Sequence, residues 1–238
     1  MPLPADVLHD ITSADPGRPR ITWYDDEPGP TQGERIELSG KVLTNWVSKA
    51  ANLLQDDAAA GPGTTVGLDL PTHWRAVYWA LAAWSVGAEV VIGSAAANAD
   101  VLVTSDPGRA AAHGGDTVLV TLAALARSHP EASSAAGAVD EARELSTHGD
   151  RFSPLADPES GDVALSVDGH DTAYADLVMP RGDWGGAPRI ATASPLGVAL
   201  SECLSAWAAD GSVVLLRGPR SDVTDRLAAE GVTVDLRS

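Results

Sequence analysis

Lysine is nearly absent from this chain of 238 residues: Lys41 and Lys49 are its lysines, and both fall in the first quarter. Any mechanism that needs a lysine ammonium from a later position is excluded. Cysteine is scarcer still. Cys203 stands alone, so no intrachain disulfide and no thiolate-based zinc site can form. Its place in an apolar helical segment marks a buried thiol rather than a nucleophile. Basic residues are also few, with 16 Lys and Arg against 33 Asp and Glu and a formal net charge of −17. That balance argues against binding nucleic acid or an anionic membrane through a basic surface, and reads as a solubility feature. No apolar run approaches the ~18–20 residues of a membrane span. The start, MPLPADVLHD, lacks the basic region and apolar run of a secretory signal. A cytoplasmic protein with neither nucleic-acid nor membrane partners is expected.

Catalytic motifs are missing in the same way. The six histidines (His9, His73, His113, His129, His148 and His170) never fall at i, i+4 or in a cluster of metal-ligand spacing, so no metal is expected. No G-x-S-x-G elbow exists for a hydrolase serine. GPGTTVG at 61–67 has the wrong spacing for a dinucleotide fingerprint and precedes a strand instead of following one. GERIELSGK at 33–41 has a P-loop's glycine and lysine, but too many residues intervene and Val42 replaces the Ser or Thr.

What is present is an ordinary globular composition, 44% apolar and 21% charged, in a chain long enough to bury a real core. Strands are predicted at 20–27 and 33–40, joined as a hairpin, followed by a helix capped by Thr44. VGLDL, the helix PTHWRAVYWALAAWSVG and AEVVIG form a strand–helix–strand unit, with His73 as a helix-start residue. DVLVTS, TVLVTL and DVALSV add strands, and 123–160 is a polar, Ala-rich connection and a candidate sub-boundary. RIATAS, a helix from Pro195, SVVLLRG, the helix SDVTDRLAAEG and VTVDLR repeat the theme. Alternation of this kind predicts one layered α/β domain over 1–238, with a mainly parallel sheet and helices on both faces. The seven tryptophans, several on the 74–84 helix, are expected in the core.

The densest collection of chemically capable side chains is ALSVDGHDTAYADL at 164–177, and the candidate ligand-binding residues are Ser166, Asp168, Gly169, His170, Asp171 and Thr172, with Ser194 at the end of RIATAS. No second cluster supplies a base–nucleophile pair, so no catalytic residue is assigned. Asp168–Gly169 reads as a turn between two strand-like pieces, Thr172 as a cap for AYADL and Ser194 as a cap for the helix after it.

Two stretches carry a family resemblance. SGKVLTNWVSKAANLL and GPGTTVGLDLPTHWRAVYWALAAWSVGAEVVIG place Thr44, Ala51, Asn52, Gly61, Gly63, Val66, Pro71, Gly87 and Ala88 at positions of a known pattern. It resembles the N-terminal part of adenylate-forming enzymes, the group of acyl-CoA synthetases, luciferases and peptide-synthetase adenylation domains. The chain is also similar to short actinobacterial proteins regarded as truncated relatives of that group, and its Ala-rich, Arg-over-Lys composition agrees with a GC-rich bacterial genome. The resemblance implies the fold of an acetyl-CoA-synthetase-like N-terminal subdomain. It implies as well a Ser/Thr/Gly-rich phosphate loop ending in Pro-Lys-Gly straight after DVALSV. Here DGHDTAYADLVMPRGDWGG stands instead, without that run or its lysine, and its aspartates would repel a triphosphate. The family's Mg²⁺ and ribose motifs and its C-terminal domain with the catalytic lysine are expected to have no counterpart, and a helix that the resemblance implies between Gly93 and Asp100 is expected to be missing.

The expectation is therefore a non-catalytic relative acting as a binding or interaction protein, with no cofactor. The alternative is a residual binder of an acyl, CoA or nucleotide-like molecule, or a weak enzyme, at the carboxyl edge of the sheet. A homodimer or a protein partner is expected to cover the face that the missing half would have covered.

Overall fold

The strand–helix alternation resolves into two sheets. A computed structural model describes residues 2–219 and 223–237. The elements run α1 (Pro4–Ala14), β1 (Pro19–Asp25), β2 (Arg35–Ser39), α2 (Gly40–Asp56), β3 (Thr65–Asp69), α3 (Trp74–Ser85), β4 (Glu89–Ile92), β5 (Val101–Thr104), α4 (Pro107–Ala112) and β6 (Asp116–Leu119). They continue with β7 (Val139–Asp140), α5 (Glu141–Glu144), β8 (Val163–Val167), β9 (His170–Ala173), α6 (Tyr174–Leu177), β10 (Arg189–Thr192), α7 (Leu196–Ala208), β11 (Ser212–Arg217), α8 (Thr224–Ala229) and β12 (Val234–Asp235). One sheet has the order β12-β10-β11-β1-β2, the other β7-β6-β5-β3-β4-β8-β9. Within both, neighbours pair in parallel except for the edge hairpins β1–β2 and β8–β9. The mainly parallel α/β architecture agrees with the sequence reading, and the division into two sheets refines it.

Helix α3 explains why the two sheets form one body. Its residues from Trp74 to Trp84 are buried all round, as a helix enclosed on every side requires. It packs on α1, α2 and α7 and on strands of both sheets, β1, β3 and β4. One continuous apolar cluster therefore includes Trp23 and Val213 from the first sheet and Val66 and Val90 from the second. Two core tryptophans find partners for their N–H groups: Trp84 Nε1 donates to the Ala164 carbonyl at 2.7 Å and Trp207 Nε1 to that of Arg20 at 3.1 Å. Among the described residues no helix is long and apolar enough to cross a membrane.

Several local expectations are corrected. Helix α2 starts a turn earlier than Thr44, with Ser39 as cap accepting from Val42 N at 3.3 Å. Thr44 lies inside it and its hydroxyl meets that of Thr12 at 2.7 Å. The stretch before the first predicted strand contains α1, whose Val7, Leu8 and Ile11 are buried. The first residues of SDVTDRLAAEG, 221 and 222, lie outside the described residues, and α8 follows them. The shortened link after Gly93 is a single 3-10 turn over Ser94–Asn98. It sits so close to β3 that a Cβ on Gly67 would stand 2.2 Å from the Ala96 carbonyl oxygen, which explains the glycine.

Candidate functional site

The segment richest in polar groups folds as a tight hairpin. In β8 and β9, Val167 pairs with His170, so Asp168 and Gly169 form a two-residue loop. Their φ values, 49° and 81°, are both left-handed, the geometry for which Asp-Gly is favoured. Ser166 is buried in β8, Asp168, Gly169, His170 and Asp171 are exposed, and Thr172, half-buried, lies opposite Leu165 in β9. Thr172 does not cap α6; the cap position belongs to Ala173, with no side-chain bond. Ser194 does not cap α7 either, since Pro195 holds that position, and its hydroxyl lies 3.3 Å from Glu202 Oε1. The structure thus gathers the 166–172 residues on one hairpin at the sheet's edge, with no contact to Ser194 that would make a common site.

The mouth of β8 is tightly closed. A Cβ on Gly93, at the end of β4, would stand 2.0 Å from Asp168 Oδ1, and one on Gly197, in the first turn of α7, 2.6 Å from Val167 Cγ2. The carboxylate of Asp168 therefore sits against the Gly93 backbone where β4 and β8 end.

The open space lies elsewhere along the carboxyl edges. A cavity of about 510 Å³ is bounded by the 28–31 loop after β1, residues 120–123 after β6, the 126–130 loop, Ser105 after β5 and Arg217 at the end of β11. Most of its wall is apolar: Pro28, Val120, Leu122, Ala123, Ala126 and Pro130. A second, more polar cavity of about 610 Å³ follows the ends of β3, β4 and β5, with Asp69 and Arg109 paired across it. None of the residues singled out in 166–172, nor Ser194, lines either cavity.

Charged side chains brace the first cavity. Asp25 and Arg217 are register partners in β1 and β11, and Arg217 Nη1 donates to Asp25 Oδ2 at 2.9 Å. The same carboxylate accepts from the Thr31 hydroxyl at 2.6 Å and from Glu27 N at 3.0 Å, which ties down the 28–31 loop. Behind residues 121–123 lies a buried pair, Arg75 Nη1 to Glu141 Oε2 at 3.1 Å. Glu141 also accepts from the Tyr78 hydroxyl and from Trp79 Nε1 at 3.2 Å, while Arg75 Nη2 reaches the Ala123 carbonyl at 3.4 Å. Burial pushes the Glu141 carboxyl up to about 7, and the Arg75 charge restrains the rise. His73 caps α3 through Nδ1, which accepts from Arg75 N at 3.1 Å, as a helix-start residue should. Burial, then the charges of Arg75 and Arg217, hold it well below the usual imidazole range and so neutral. Cys203 is fully buried, and burial pushes its thiol up, out of nucleophile range.

Known proteins share the sequence and the fold. A Mycobacterium tuberculosis protein described as "TIGR03089 family protein" is 31% identical over 245 residues, covering 95% of each chain. The chain belongs to that family. No protein-family model matches it. Among solved structures, the Brucella canis acyl-CoA synthetase superposes with a TM-score of 0.72 at 16% identity, over 96% of this chain and 46% of that one. The Streptomyces lividans acetoacetyl-CoA synthetase gives 0.72 at 17%, over 98% and 42%. The N-terminal domain of FACL13 from Mycobacterium tuberculosis gives 0.69 at 13%, over 98% and 62%. The TIGR03089 family chain thus has the fold of an acyl-CoA-synthetase N-terminal region and spans about half the length of these structures. The resemblance to adenylate-forming enzymes holds at that level.

Sequence reasoning did not single out Thr121, His129 and Arg217, which line the first cavity, although a usable signal existed. Thr121 and Arg217 stand at the ends of parallel strands, the edge where open α/β sheets bind ligands. His129 carried no signal, since a loop brings it there.

Proposed function

We propose that this chain does not form adenylates and acts as a binding domain built on the adenylate-forming fold. The observation that carries the reading is the hairpin after β8. Where the resemblance places a phosphate loop, two residues turn the chain directly back, and the nearest carboxylate, Asp168, stands against Gly93. A phosphate loop works by presenting successive backbone N–H groups, hydroxyls and a cation to the phosphates. Here the turn leaves no run of free N–H groups, His170 and Asp171 point along an exposed edge strand, and both lysines belong to α2. Binding rather than catalysis is favoured further by the cavity of about 510 Å³ at the strands' carboxyl edge, a size suited to a small molecule. Exchange of labelled pyrophosphate into ATP, measured with a panel of carboxylic acids, tests the reading. Exchange at background level is expected; robust exchange with any acid would overturn it.

A further inference from the structure

The five-stranded sheet ends in an uncovered edge. Strand β2 pairs with β1 on one side, and among the described residues no strand adjoins its other side. The bonds at the loop end of this hairpin show which backbone groups face outward. Asp25 N donates to the Glu34 carbonyl and Gly33 N to the Asp25 carbonyl, so Asp25 directs both of its backbone groups at the β2 side. Alternate residues of a strand do the same, and Trp23 and Ile21 therefore bond to their register partners Ile36 and Leu38. Arg35 and Glu37 turn their N–H and C=O groups the other way, and neither makes a backbone bond beyond the hairpin among the described residues.

The side chains along this edge carry opposite signs. Arg35 and Glu37 are exposed on one face of the strand, where they pair at 2.7 Å, and Arg35 also reaches Glu230 at 2.9 Å. Ile36, between them on the opposite face, is half-buried. Val42, whose N–H is bonded to Ser39 at the strand's end, is 40% exposed and adds apolar surface there.

We infer that a second copy of this chain adds its own β2 to this edge, antiparallel, about a twofold axis at Ile36. An isologous contact needs a surface that complements itself. Outward-facing residues bond across the edge only to outward-facing residues, which restricts the axis to Arg35, Ile36 or Glu37. An axis at Arg35 sets that residue against its own copy, and one at Glu37 opposes two carboxylates; like charges directly opposite are destabilising. The axis at Ile36 sets Arg35 of each protomer against the partner's Glu37. Each such pair exchanges both of its backbone bonds, and the Ile36 side chains meet on the other face. The exposed edge is thereby removed from solvent.

The test is sedimentation velocity of the full chain over a concentration series, with the fold of every variant checked by circular dichroism. Pairing of one short strand buries less than a standard interface, so the wild type should pass from monomer to dimer at a concentration on the order of 100 µM. Arg35→Glu and Glu37→Arg should each weaken self-association at least about ten-fold, because each opposes like charges at both pairs. Mixed in equal amounts, the two variants should associate again, since every cross-strand pair then joins opposite charges. Side chains that act only within one chain would give no such recovery. Glu37→Pro removes an outward N–H that β1 does not use, so the monomer should keep its fold while the dimer is lost. A wild type that stays monomeric at about ten times the expected concentration overturns the inference. So does self-association that Glu37→Pro leaves unchanged, or a mixture of folded Arg35→Glu and Glu37→Arg chains that stays monomeric.

Discussion

Replacing Arg75 by methionine keeps the volume of a long side chain and removes its charge from a site that is 4% exposed. Glu141 is then left buried with the Tyr78 hydroxyl, the Trp79 N–H and the Thr121 backbone N–H, but with no cation. Stranding a buried carboxylate in this way costs about 3–5 kcal/mol if it stays ionised. The cost depends on pH with a definite sign. In the wild type, burial raises Glu141 from 4.5 to about 7. A carboxyl raised on folding stabilises fully below its unfolded value, and that contribution is lost as pH rises through the folded one. At 1.36 kcal/mol for each factor of ten in proton affinity, the contribution lost is about 3 kcal/mol. Without Arg75 the carboxyl rises further. At pH 8 Arg75→Met should therefore cost about 2–3 kcal/mol: the wild-type carboxyl, at about 7, ionises over only the last pH unit, so its further rise adds at most about 1.4 kcal/mol to the loss seen at pH 5. At pH 5, where Glu141 is protonated in both proteins, the loss should shrink to about 1–2 kcal/mol, the bonds to Tyr78 and the Ala123 carbonyl and the stacking on Trp74. Urea unfolding followed by tryptophan fluorescence at the two pH values measures both. The double variant Arg75→Met/Glu141→Gln should recover much of the pH 8 loss. Equal losses at the two pH values, or no recovery, would refute the assignment of a buried carboxylate held down by Arg75.

Three further outcomes follow from local geometry. Gly67→Ala places a methyl 2.2 Å from the Ala96 carbonyl oxygen, backbone against backbone, and should cost more than about 2 kcal/mol in the same unfolding assay. Gly169→Ala meets nothing within 4 Å but keeps φ at 81°, so it should cost only the left-handed penalty of about 1 kcal/mol. A larger loss there would mean that the hairpin is packed more tightly than its exposed position indicates. Cys203, fully buried with its thiol pushed up, should react with a thiol reagent only as fast as the chain unfolds, and brisk labelling of the native protein at pH 8 would contradict that burial.

Local pattern made much of the fold legible, and distance along the chain hid the rest. Short β-branched runs such as VLVT and SVVLLR, bounded by Gly, Pro or Asp, placed their own strands within one or two residues, whereas β6 stops three residues short of the TVLVTL run and β7 lies in the stretch read as a connection. Asp168–Gly169 announced its turn because few dipeptides tolerate two left-handed residues in succession. Helix starts were less certain wherever several hydroxyl residues stood in line: Ser39, not Thr44, caps α2 because Leu43 already belongs to the buried stripe. The division into two sheets rests on pairing β1 with β11, and Arg217 bonds to Asp25 across 192 residues, which no local window can show. For the same reason the 164–177 segment drew attention by its composition, while the cavity did not. The walls of the cavity come from residues near 30, 125 and 217, and each of those stretches alone reads as an ordinary loop or strand end.

The most direct test of the central claim puts acid and nucleotide together. The chain is incubated with a panel of carboxylic acids, ATP and Mg²⁺, and released pyrophosphate and acyl-adenylate are measured in the same samples. The account expects each acid to be recovered unchanged, with no pyrophosphate above background. Pyrophosphate released in step with an acyl-adenylate would contradict it.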